Sequence, residues 1–202
     1  MRNWKCEKLK NGVLFFKVDI KPEKFFIDSS GFSRRKKGSW RPTKFKLKIK
    51  RKWYKLYVLC NSGGESVAFA VTEGNVNDSV MFETLVKVLP QNSIVYGDKA
   101  YFSRKNYKIA KKYGIVLHSP PKKNARAIKR GIKEYRDEVK LHEEIGYDRW
   151  KEVTGYKERF NKEFVFAMLK TMFGEEIRAQ SLEGAGIALL SMVSLSNIGV
   201  NA

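Results

Sequence analysis

Cysteine, histidine and long apolar runs are scarce in this 202-residue chain, and each scarcity narrows what it can do. The two cysteines, Cys6 and Cys60, have no CxxC spacing and cannot build a disulfide framework. A reducing, cytosolic compartment fits them. His118 and His142 stand 24 residues apart with no cysteine near either, so they read as packing or surface residues rather than zinc ligands. No apolar run reaches the roughly 18 residues of a membrane span. The most apolar stretch, Ile187 to Val200, contains three serines and Asn197 and reads as a buried terminal helix within about residues 180–197. Met1 to Lys10 is charged throughout, so no signal peptide is expected.

Positive charge is abundant. Lys and Arg number 41 against 21 Asp and Glu, a formal net charge of +20. A surplus of that size is an argument about partners, and nucleic acid is the expected one. From Ser33 to Leu56 there are 12 cations and no acid. Lys44 to Lys50 reads KFKLKIK, which would put Lys44, Lys46, Lys48 and Lys50 on one face of a strand and Phe45, Leu47 and Ile49 on the other. With Arg34 and Arg35 these lysines are candidate phosphate contacts. The competing reading is a solvated strand edge that discourages sheet-to-sheet pairing.

Length and a hydrophobic content of 43% suit a single domain, residues 1–202. Phe25 to Asp28 reads as a short strand closed by a Ser-Ser-Gly turn. Tyr54 to Cys60 and Ser66 to Val71 read as a hairpin around NSGG. A helix is expected over Val80 to Leu89, capped by Asp78 or Ser79. A strand over Ser93 to Tyr96 follows, then a helix over Ser103 to Tyr113 and a fifth strand over Ile115 to His118. Residues 121–155 read as a short, basic, helical insert. The order predicts a mixed α/β fold with a five-stranded sheet covered by helices.

Tyr156 to Lys170, YKERFNKEFVFAMLK, reads as one helix. At about 100° per residue, Tyr156, Arg159, Glu163 and Lys170 share an arc of roughly 60°. The stripe is either a site or a set of solvated ion pairs, Arg159 and Glu163 being an i,i+4 pair. Asp28 and Asp98 each stand at or just beyond a strand end. With Glu163 they would make an oxygen-ligand site for two Mg²⁺ or Mn²⁺ ions able to clamp a scissile phosphate. Asp19 is a rival first carboxylate without the turn-rich context of Asp28.

These residues give the chain its resemblance to a known family. The chain resembles the catalytic domain of DDE transposases of prokaryotic insertion sequences, on the ribonuclease H-like fold shared with retroviral integrases. Tyr156, Arg159, Glu163 and Lys170 match the Y-(2)-R-(3)-E-(6)-K signature at every spacing. FIDSSGF around Asp28 and VYGDKAYFS around Asp98 resemble the two aspartate strands, and GNVNDS at 74–79, RWK at 149–151 and FGE at 173–175 add to the match. The likeness covers roughly residues 25–178. It implies that Asp28, Asp98 and Glu163 hold the ions, and that Tyr156, Arg159 and Lys170 contact the DNA of the element end. It implies hydrolysis at those ends, then attack of the freed 3′-hydroxyl on target DNA, by a dimer or larger assembly near the prokaryotic nucleoid. Only 27 residues precede Asp28, so the family's usual N-terminal DNA-binding region is expected to be absent. A ribonuclease H-like nuclease and a non-catalytic DNA-binding remnant are the alternatives.

Overall fold

Eleven residues, Lys24–Arg34, form one continuous strand, β3, on which the rest of the sheet is assembled. The computed structural model describes residues 4–10, 12–34, 53–74, 76–129, 131–162, 164–179 and 181–200. The expected end of this strand at Asp28 is corrected. Ser29, Ser30 and Gly31 continue it because each pairs with β4 (Trp53–Asn61), opposite Tyr57, Leu56 and Lys55. Antiparallel pairing along a long, apolar neighbour outweighs the turn preference of Ser and Gly.

The other strands are β1 (Trp4–Leu9), β2 (Gly12–Lys17), β5 (Ser66–Glu73), β6 (Ile94–Gly97), β7 (Val116–His118) and β8 (Glu176–Ile177). Their order is β1-β2-β5-β4-β3-β6-β7, with β8 pairing the far end of β3. The five strands expected from the sequence are β3 to β7. The β1–β2 hairpin widens one edge and β8 adds two residues, giving eight strands. Strands β1 to β5 pair antiparallel among themselves, whereas β6 and β8 lie parallel to β3 and β7 parallel to β6. This is the expected ribonuclease H-like architecture, a mixed sheet with helices on both faces.

Five α-helices are described: α1 (Asp78–Val86), α2 (Arg104–Lys112), α3 (Lys133–Thr154), α4 (Phe164–Phe173) and α5 (Leu182–Val200). Strand alternation sorts the core into two faces. Phe25, Ile27, Tyr57, Leu59 and Val95 pack with Phe82 and Leu85 of α1 and Ile109 and Ala110 of α2. On the other face Phe32, Leu56, Val58 and Phe69 meet Val165 and Leu169 of α4 and Leu189 and Val193 of α5. Phe26 and Tyr96, further along that second face, pack with Trp150 and Tyr156. Helix α3 contributes Val139 to the first core and Trp150 to this last cluster, so it wraps the short edge strand β7.

By length and composition, Leu182–Gly199 would also suit a membrane span, with 33% of that window buried. The side chains of Ala185, Leu189 and Val193 are fully enclosed against the sheet, which makes α5 a core helix along that stripe.

Candidate active site

The parallel register of β3 and β6 brings the two aspartates together. Ile27 is opposite Gly97, and Asp28 and Asp98 are the next residue on each chain. Adjacent strands lie about 4.8 Å apart, so the two carboxylates start from neighbouring backbone positions. A side chain beside them would be crowded. A Cβ on Gly97 would come within 3.0 Å of the Tyr101 side chain and 3.1 Å of Ile27 Cγ2. Asp28 Oδ1 accepts the Ser29 N–H at 2.9 Å, and Asp98 Oδ1 accepts the Ala100 N–H at 2.9 Å. The Ser119 hydroxyl donates to the Asp98 carbonyl at 2.6 Å, tying the loop after β7 to the end of β6. Asp19 is exposed, just past β2 and away from the β3–β6 pairing.

A third aspartate, Asp78, has a different role from the helix cap expected of it. Asn77, not Asp78, caps α1: its side chain accepts the Ser79 N–H. Asp78 is thereby released from capping. Its Oδ1 accepts the Ser29 hydroxyl at 2.8 Å and lies 2.6 Å from Lys55 Nζ. Ser29 projects from β3 on the face opposite Asp28, so the pair Lys55–Asp78 braces the strand from behind. Buried nearby is Tyr101, whose hydroxyl finds no hydrogen-bond partner among the described residues. Burial pushes its phenol well above the ordinary range, and the charges of Asp78, Asp98 and Asp28 push the same way. The adjacent Asn-Asp in GNVNDS was the available signal, because only one of the two can cap.

The single helix expected over Tyr156 to Lys170 is corrected. A 3₁₀-helix spans Tyr156–Lys162 and α4 follows over Phe164–Phe173. At three residues per turn, positions i and i+3 eclipse, so Tyr156 and Arg159 still point the same way, and both point inward. Tyr156 is buried. Its hydroxyl donates to the Gly97 carbonyl at 3.2 Å, and its ring packs 4.8 Å from that of Trp150. The Arg159 side chain is 11% exposed, and Nη2 lies 3.5 Å from Asp28 Oδ1. Lys170, on α4, lies 3.2 Å from Glu175 Oε1 and 5.9 Å from the centre of the Phe32 ring. Tyr156 and Arg159 are thus both buried beside the backbone that carries the two aspartates.

Glu163 lies outside the described residues. The segments flanking it pack on the face of β3 that carries Asp28, through Arg159 on one side and Val165 on the other. Arg35, Lys44, Lys46, Lys48 and Lys50 also lie outside the described residues. Arg34 ends β3, with its guanidinium carbon 5.9 Å from the centre of the Tyr54 ring. A cleft of ≈ 630 Å³ is lined in part by Lys99, the residue after Asp98, and by Lys122, Lys123, Tyr147 and Tyr156.

Among the described residues no group of three or more Asp, Glu, His or Cys could hold a metal ion. Asp28 and Asp98 nevertheless fit Mg²⁺ or Mn²⁺ in kind. Both offer hard carboxylate oxygens, and the Arg159 guanidinium already places a cation against one of them.

A family model described as the transposase DDE domain matches residues 19–198 of the chain. No curated protein gives a match.

Proposed function

Because the chain belongs to the family of transposase DDE domains, we propose that it cuts DNA at the ends of a mobile element and joins the freed 3′-hydroxyls to target DNA. Residues 1–202 are read as one catalytic domain. The carrying observation is the placement of Asp28 and Asp98 side by side, one step beyond the Ile27–Gly97 pair. Glu163 is the third carboxylate of the proposed set, and the packing of its neighbours on the Asp28 face supports that reading. Divalent ions, when bound by these carboxylates, would supply Lewis-acid stabilisation of the scissile phosphate.

In the first step water attacks phosphorus, and the bond to the 3′-oxygen breaks to leave a 3′-hydroxyl. In the second, that hydroxyl attacks a target phosphodiester, forming one phosphodiester as another breaks. The protein's share is positional. Asp28 is held by its pairing with β4, and Asp98 follows directly on the parallel neighbour β6. Tyr156 fixes the backbone ahead of Asp98, and Lys99, Lys122 and Lys123 line a path suited to phosphate. DNA is the substrate, and two or more copies acting on paired ends are the proposed assembly.

Cleavage of an oligonucleotide carrying the element end, in Mg²⁺, tests this. Asp28→Asn, Asp98→Asn and Glu163→Gln should each abolish cutting while DNA binding is kept or strengthened, since each removes negative charge near phosphate. An active Asp98→Asn enzyme would sink the two-ion scheme. Cutting without end preference would favour a plain nuclease, and no cutting by the wild type a DNA-binding remnant.

A further inference from the structure

We propose that Arg159 and a divalent ion are alternative partners of the Asp28 carboxylate, so that DNA opens the metal site by drawing Arg159 onto a phosphate. The inference rests on the reading of Asp28 as a metal ligand.

Four observations carry it. First, Nη2 of Arg159 sits 3.5 Å from Asp28 Oδ1, where an ion on that oxygen would meet a like charge. In a partly desolvated site such charges repel strongly. Second, the Asp28 side chain is 37% exposed while that of Arg159 is 11% exposed. Solvent ions can therefore reach the carboxylate, whereas the arginine cannot reach a phosphate without moving. Third, the crevice lined by Phe26, Asp28, Val58, Arg159 and Phe166 holds only ≈ 20 Å³. That is room for about one water, not for an ion with its shell. Fourth, Arg159 rides on the 3₁₀-helix Tyr156–Lys162, whose hydrogen-bond geometry is poorer than that of an α-helix. Asp28 sits in mid-strand on β3, paired to Val58 of β4, so the arginine is the partner that gives way.

The guanidinium fork suits carboxylate and phosphate alike and stays charged throughout. Moving it between the two couples the sites. If DNA favours metal binding, metal must favour DNA binding by the same factor. The arginine therefore keeps Asp28 neutralised when no DNA is present, and the ion is taken up on the substrate.

Mn²⁺ binding, read from the electron paramagnetic resonance of the free ion, tests this on the full chain with and without excess duplex oligonucleotide. The proteins are wild type, Arg159→Gln, Arg159→Lys and Asp28→Asn. In wild type, DNA should tighten Mn²⁺ by at least about fivefold, the lower end of ordinary coupling. Arg159→Gln should bind Mn²⁺ at least about fivefold tighter without DNA, with little further gain on adding it. Arg159→Lys, which keeps the charge, should retain part of the DNA response. Wild type that binds Mn²⁺ no tighter with DNA than without it overturns the proposal and needs no variant that folds. So does an Arg159→Gln protein, shown to melt cooperatively, that binds Mn²⁺ no tighter than wild type. Asp28→Asn separates the two levels. If it binds Mn²⁺ as wild type does, the metal reading itself fails. If it loses binding while Arg159→Gln gains nothing, Arg159 is a brace and only the coupling fails.

Discussion

The indole Nε1 of Trp150 donates to Glu138 Oε1 at 3.1 Å, although both residues belong to α3 and lie 12 positions apart. Along a straight helix twelve residues span about 18 Å. The contact exists because α3 doubles back at Gly146, whose φ of 74° and ψ of 168° are not helical. The same Glu138 carboxylate lies 3.2 Å from His118 Nδ1 on β7, so one buried acid joins both arms of the helix to the sheet edge.

Gly146→Ala should therefore destabilise the fold by about 1–3 kcal/mol, the cost of forcing a side chain into a backbone region open essentially to glycine. A Cβ there would meet no atom within 4 Å, so crowding is not the cause. Gly199→Ala, also uncrowded but within α5, is the control and should be neutral or stabilising. Urea unfolding of the two variants checks it. Equal stability would show that the reversal does not depend on glycine.

Tyr156 stands in the family signature, yet its hydroxyl is spent on the Gly97 carbonyl. Tyr156→Phe should lower stability by about 0.5–1.5 kcal/mol, and Tyr156→Ala by about 3–5 kcal/mol. Tyr156→Phe should leave the affinity for DNA nearly unchanged. A large loss of DNA affinity in a Phe variant of wild-type stability would instead put the hydroxyl on the nucleic acid.

The pair Lys55–Asp78 is 22% exposed on each side chain, so breaking it leaves a half-buried charge. Lys55→Met and Asp78→Leu should each destabilise, with a coupling energy of about 1–3 kcal/mol in the double-mutant cycle. The double variant should recover much of the loss. Additive losses would mean that the two charges do not act as a pair.

For the basic segment the expectation comes from sequence. Each phosphate neutralised lowers the slope of log K against log salt by about 0.9. Replacing Lys44, Lys46, Lys48 and Lys50 with Gln should flatten that slope by roughly 3–4. An unchanged slope with the fold intact would make the row an edge guard.

Sequence alone located β4 to β7, α1 and α2 closely, because apolar alternation and Gly, Pro or Asn punctuation coincide there. It also singled out Asp28 and Asp98, although only Asp98 stands just beyond a strand end. What makes them neighbours is the parallel pairing of β3 with β6, a long-range fact that no local pattern states. Three features were hidden for different reasons. The continuation of β3 through Ser29, Ser30 and Gly31 depends on β4. The change from 3₁₀ to α geometry between Lys162 and Phe164 is marked by no glycine or proline. The reversal in α3 rests on a single glycine, which within a helical pattern ordinarily reads as a tolerated weak point.

Strand β3 is bonded on one side by β4 from Phe25 to Ser33, and on the other by β6 at one end and β8 at the other. Amides flanked on both sides in this way exchange with solvent deuterium only when the whole molecule opens. Those of the 3₁₀-helix Tyr156–Lys162 should exchange through far smaller fluctuations. The Asp28 site thus keeps two clocks. A pulse of deuterium short enough to spare Phe26 and Ile27 should already have labelled the turn that carries Arg159.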